Sequence, residues 1–110
     1  MPSSRATPDS PERPRWTFLT NHAHVLLCLA AEPNLPLREV AARVGITERA
    51  TQKIVADLAR DGYLQVTRVG RRNSYAVDPH GPFRHPLEKH KEVGALLRVF
   101  GVTAAGRRAR

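Results

Sequence analysis

The sequence predicts a mainly α-helical domain with a small β-hairpin, and three observations predict it. Two consecutive segments repeat apolar residues at helical spacing and meet at the corner Gly45-Ile46-Thr47. Beyond Gly62 the apolar period drops from that of a helix to that of a strand, on both sides of a Gly-containing turn. The 110 residues, 41% of them hydrophobic, suffice for one small core.

Residues 1–15, MPSSRATPDSPERPR, hold Pro, Ser and mixed charge with nothing apolar to bury, so they read as a disordered N-terminal arm. The folded part is expected from Trp16, with a main domain over 16–79. Thr20 or Asn21 can cap a first helix through HAHVLLCLAAE, which Pro33 and Asn34 end. From Val25 to Ala31 this helix is apolar all round and must be covered from several sides. Pro36 opens the second helix, where Leu37, Val40, Ala41 and Val44 form one stripe and Gly45 supplies the left-handed stop. Thr47 caps the third helix, Glu48 favours its positive end, and Thr51, Ile54, Val55 and Leu58 face inward.

Gly62 ends that helix, and two strands follow. Leu64 and Val66 alternate with polar residues in the first, Tyr75 and Val77 in the second, around the turn VGRRN. Gly70 and Asn73 tolerate positive φ there, which leaves Arg71 and Arg72 at the tip. Residues 80–101 read as a Pro-rich loop and a last helix over 86–100, started by Pro86, with Val93, Leu96, Leu97 and Phe100 as its apolar stripe. Residues 102–110 read as a basic tail, and the chain has no internal repeat.

The formal net charge is +8 and most of the positive side chains are arginine, which favours a polyanionic partner. Cys28 is the only cysteine, so an intramolecular disulfide is excluded. The N-terminus has no apolar stretch after its charges, and the longest apolar run, Val25 to Ala31, is far short of a membrane span. The expectation is a soluble cytoplasmic protein. No Gly-rich phosphate loop or recognised nucleophile arrangement occurs, so neither an enzyme nor a cofactor is expected.

Helix, Gly-containing turn, helix and Arg-tipped hairpin are the order of a winged helix-turn-helix. Over residues 18–78 the chain resembles the DNA-binding part of MarR-like and ArsR-like bacterial regulators, through Leu37, Ala41, Val44, Gly45, Ile46, Val55, Leu58, Gly62, Tyr63 and the hairpin. The resemblance implies a sequence-specific, double-stranded DNA-binding transcriptional regulator. Helix 48–61 would enter the major groove and the wing, 69–73, would meet the minor groove or backbone. With Thr51, Val55 and Leu58 inward, Thr47, Arg49, Gln52 and Lys53 point away and become the candidates for base readout, Thr47 or Lys53 also for holding phosphate. Arg68, Arg71, Arg72 and Asn73 are the wing candidates, and Arg38 and Arg43 the phosphate anchors.

The same resemblance, together with the first helix's need for cover, implies a homodimer through terminal helices. Its interface would be formed by Leu26, Leu29, Val93, Leu96, Leu97 and Phe100, with Gly94 permitting close approach. Two other readings stand beside this one. A winged helix can dock an acidic protein instead of DNA. A metal-gated ArsR-like repressor could use His24 and Cys28, one helical turn apart, with His80, His85 and His90. The sequence lacks the Cys-x-Cys pair of metal-sensing relatives, so no metal ligands are assigned.

Overall fold

The computed structural model describes residues 13–103. Most of the arm expected over 1–15 and most of the tail expected over 102–110 lie outside the described residues. The elements run α1 (Asn21–Ala31), α2 (Leu37–Val44), α3 (Glu48–Arg60), β1 (Leu64–Val69), β2 (Arg72–Val77) and α4 (Val93–Val99). Among the described residues, four helices and one antiparallel hairpin make a winged helix.

Short-range chemistry sets the element ends. Thr20 Oγ1 accepts the Ala23 N–H at 3.2 Å and starts α1. Pro36 is the N-cap of α2, where its missing N–H removes no helical bond. Gly45, at φ 89°, closes α2, its N–H and that of Ile46 both donating to Ala41 O at 2.8 and 3.0 Å. Two residues later Thr47 Oγ1 accepts from the Ala50 N–H at 3.0 Å and starts α3.

α1 supplies the centre of the core through Val25, Leu26, Leu29 and Ala30. α2 adds Val40, α3 adds Ile54 and Val55, and the hairpin adds Leu64, Tyr75 and Val77. Thr51 is the buried polar residue among them, and its hydroxyl is satisfied by donating to Thr47 O at 3.0 Å. The Tyr75 N–H donates to Pro33 O at 2.9 Å, tying β2 to the connection between α1 and α2.

Three expectations are corrected here. The first concerns the hairpin: Val69 pairs with Arg72 and Arg68 with Asn73, so the loop is only Gly70-Arg71. Gly70 alone takes positive φ, 62°, while Asn73 lies inside β2 and needs none. Arg71 therefore holds the tip and Arg72 begins the returning strand. Val66 is 42% exposed, although Tyr75 across the hairpin from it is buried.

The second correction concerns the expected helix over 86–100, which is helical only from Val93. Between Pro86 and Glu92 only Leu87 is apolar, and it is 80% exposed, so a helix there would have no face to bury. The segment closes on itself instead. Pro82 bridges Glu92, Phe83 N–H donates to Lys91 O at 3.0 Å, and Val93 N–H donates to Gly81 O at 2.8 Å.

The third concerns the assigned interface. Leu26, Leu29, Val93 and Leu97 are all buried within the chain's own core, so they are not available to a second copy. Of the six residues, Leu96 is half-buried and Phe100, just past the end of α4, is 51% exposed.

Leu29 is fully buried, so Leu29→Ala should lower the unfolding free energy by about 2–5 kcal/mol, read from the urea midpoint. Gly45→Ala should cost about 1–2 kcal/mol from the left-handed backbone alone. Its new Cβ would also stand 2.5 Å from Arg13 Cζ.

Candidate nucleic-acid interface

Burial of Thr51, Ile54 and Val55 fixes the rotation of α3, and Arg49, Gln52 and Lys53 are exposed on the opposite side. Thr47, also exposed, precedes them as the cap. The four candidates for base readout thus share the start of one helix. Arg49 and Gln52 have no hydrogen-bond or ion-pair partner among the described residues, so their full donor sets face solvent. Lys53 differs, donating from Nζ to both Asp57 oxygens at 2.9 and 3.2 Å.

Asp57 is the centre of a small network. His22 Nε2 reaches it from α1 at 2.9 Å, and Arg60 Nη1 lies 3.5 Å away. The hydrogen bonds from His22 first, then from Lys53, pull its carboxyl down to about 2. Asp61, one residue past α3, is lowered by Arg60 first and also by Arg84, whose Nη1 lies 2.6 Å from its carboxylate. On the far side Arg43 Nη1 donates to Glu32 at 2.5 Å, which raises the arginine's pKa.

These pairs divide the positive charge in two. Arg43, Arg60 and Arg84 each have an acidic partner, whereas Arg38, Arg49, Arg71 and Arg72 have none among the described residues. Arg43, expected as a phosphate anchor, is thus held by Glu32, while Arg38 is exposed on the first turn of α2. At the wing Arg68 Nε donates to Gly70 O at 3.0 Å and braces the turn. Arg71 occupies that turn, and Arg72 and Asn73 begin β2.

Sequence reasoning missed the Asp57 network, although half of it was visible. Asp57 follows Lys53 by four residues and precedes Arg60 by three, the spacing of neighbours on a helix face. The His22 contribution comes from another helix and leaves no such local mark. Among the described residues no group of three or more His, Cys, Asp or Glu side chains is placed to hold a metal ion. None of the described helices is long and apolar enough to cross a membrane.

Two helices crossing at a left-handed glycine, a second helix with a bare polar face, and an arginine-tipped hairpin make up the winged helix-turn-helix fold. Residues 20–65 match the family model for winged helix-turn-helix DNA-binding domains. No curated protein matches the chain.

Among solved structures, the PcaV transcriptional regulator from Streptomyces coelicolor in complex with its natural ligand is 29% identical. The match covers 74% of this chain and 60% of that one, with a TM-score of 0.51. Another crystal structure of PcaV is 34% identical over 54% of this chain and 46% of that one, TM-score 0.47. The zinc-dependent MarR family transcriptional regulator AdcR, in its Zn(II)-bound state, is 26% identical over 56% of this chain and 44% of that one, TM-score 0.44. The matched region thus spans between 44% and 60% of the length of these regulators.

Because the Asp57 carboxyl titrates near 2 in the fold and near 3.8 when free, its pairs stabilise the protein fully above about pH 4. That contribution should fade as the pH falls through about 2. Asp57→Asn should accordingly flatten the dependence of Tm on pH across this acidic interval, as read by circular dichroism.

Proposed function

We propose that the chain is a transcriptional regulator that binds a specific duplex DNA sequence as a homodimer. The observation that carries the reading is the bare start of α3, where Arg49 and Gln52 remain unpartnered while acidic residues hold Arg43, Lys53 and Arg60. A planar guanidinium pairs in bidentate fashion with guanine O6 and N7, and a carboxamide with adenine N6 and N7. Arg49 and Gln52 take these two roles.

Thr47 Oγ1 accepts from its own helix but keeps a proton that it can donate to a phosphate. Lys53 contributes by sharing its ammonium between Asp57 and the DNA. Arg71 and Arg72 insert at the minor groove or lie on its backbone, and Arg68 and Asn73 support them at the base of the turn. Arg38 anchors a phosphate through a guanidinium that no acidic residue occupies, and Arg43 joins it only by leaving Glu32. Glu48, in the first turn of α3, offsets the helix dipole and discourages wrong contacts there.

Two copies would set two recognition helices about one DNA turn apart, matched to an inverted repeat. The surface for this lies on the terminal segments, where Phe18 is 92% and Val99 74% exposed, beside Leu87 and Phe100. Occupying DNA needs no chemistry, so the protein acts without catalysis, in the cytoplasm where its DNA lies.

Selection of duplexes from a random pool should yield one motif that outcompetes random DNA. Arg49→Ala with Gln52→Ala should erase that preference, at about 1–3 kcal/mol per lost base contact. Arg71→Ala with Arg72→Ala should weaken all duplexes alike and lower the salt dependence. Equal binding of every duplex by the original protein would sink the readout. Sedimentation should show a dimer that Val99→Glu with Phe100→Glu converts to a monomer.

A further inference from the structure

The chain ahead of α1 is not idle. Arg13 lies across the corner between α2 and α3, its Nη2 3.5 Å from Ala42 O, a carbonyl in the last turn of α2. The Ile46 N–H that would serve Ala42 in a longer helix donates to Ala41 O instead, which leaves Ala42 O open to the guanidinium. The negative end of the helix dipole draws the cation to the same place. The guanidinium fills the space over Gly45, since a Cβ there would stand 2.5 Å from Cζ and 2.8 Å from Nε.

Further restraints hold the residues that lead into α1. Thr17 Oγ1 donates to Leu19 O at 2.6 Å, and the Trp16 and Phe18 rings meet edge to face at 5.0 Å. Thr20 then caps α1. Between Arg13 and Trp16 stand Pro14, which fixes its own φ, and Arg15, which is exposed and has no partner among the described residues. Together with Arg43 and Gly45 these residues line a cleft of about 530 Å³. Glu32 already holds Arg43, so the uncommitted positive charge on this flank belongs to Arg13 and Arg15.

We infer that Arg13 and Arg15 form a phosphate clamp on the outer flank of the helix-turn-helix corner, gripping the duplex backbone beside the groove that α3 enters. The inference rests on the proposed DNA-binding function. Gly45 precedes the cap of α3 by two residues, so a side chain seated on Gly45 stands at the rim of whatever groove α3 enters. A backbone strand of duplex DNA borders that groove. The carbonyl of Ala42 cannot neutralise a cation, so Arg13 keeps its full charge for a phosphate while its direction is fixed. Arg15, two residues along, reaches a position about 7 Å away and adds a second contact.

The test uses the full chain and a duplex selected by it. Arg13→Gln keeps a donor for Ala42 O and removes the charge, and Arg15→Gln removes a charge that touches nothing in the fold. Each phosphate contact contributes about 0.9 to the slope of log K against log salt, so the double variant should lose about 2 units of slope. Raising salt from about 50 mM to about 200 mM should then cost the double variant about ten-fold less affinity than it costs the original. The preferred sequence should stay the same, and emission from Trp16, the single tryptophan, should shift on DNA addition in the original more than in the variant.

An unchanged salt slope in the double variant, with DNA binding intact in the original, would overturn the clamp and leave the regulator reading standing. Failure of the original protein to bind any duplex would remove both. Thermal unfolding of each variant checks the fold, and Arg15→Gln alone, expected to lose about 1 unit of slope, decides the matter should the double variant prove unstable.

Discussion

The rotation of α3 about its own axis is the constraint on which the rest of the molecule depends. Thr51 is fully buried beside Ile54 and Val55, with its hydroxyl bonded to the carbonyl of Thr47. Turning the helix by one residue would bury Gln52, whose carboxamide has no partner inside, at a cost of about 1–3 kcal/mol on protein scales. It would also lift Val55 toward water. The apolar side of α1, through Val25, Leu26, Leu29 and Ala30, receives that inward face and so sets which residues stay outside.

Electrostatics then sorts the outer residues. The carboxylates of Glu32, Asp57 and Asp61 draw nearby cations into pairs, Arg43 between α1 and α2, Lys53 along α3, and Arg60 and Arg84 at its C-terminal end. The beginning of α3, the start of α2 and the wing keep arginines with no such partner among the described residues. Exposed pairs of this kind add little to stability, because water screens them and two long side chains must be held still to make them. Their consequence is positional: they decide which cations are held by a carboxylate and which keep their charge for solvent or a partner.

The C-terminal third shows how backbone satisfaction can replace a regular element. Residues 79–92 form no helix, yet their amides pair across the segment, and the Tyr63 hydroxyl donates to Pro82 O. Gly81 is needed at this contact, because a Cβ there would meet the Tyr63 ring at 2.6 Å. Arg84 reaches Asp61 at the end of α3, so the loop is tied at two points to the chain that leaves α3. α4 is left short, and its Val93 and Leu97 close the core from that side.

The sequence by itself determined what is settled within one or two turns of chain. Thr47 as a cap, the first cap narrowed to Thr20 or Asn21, Gly45 and Gly62 as helix ends, the inward stripe Thr51-Ile54-Val55 and the strand alternation at Tyr75 and Val77 all follow from local spacing and side-chain chemistry. The polar face of α3 was legible for the same reason. Only the tertiary structure decided that Leu26, Leu29, Val93 and Leu97 bury one another, that His22 joins Lys53 on Asp57, that Glu32 holds Arg43, and that Arg13 rests on Gly45. Each of these depends on which distant surfaces meet when the core closes. A periodic pattern records that a face is apolar or charged but carries no mark of the partner that covers it.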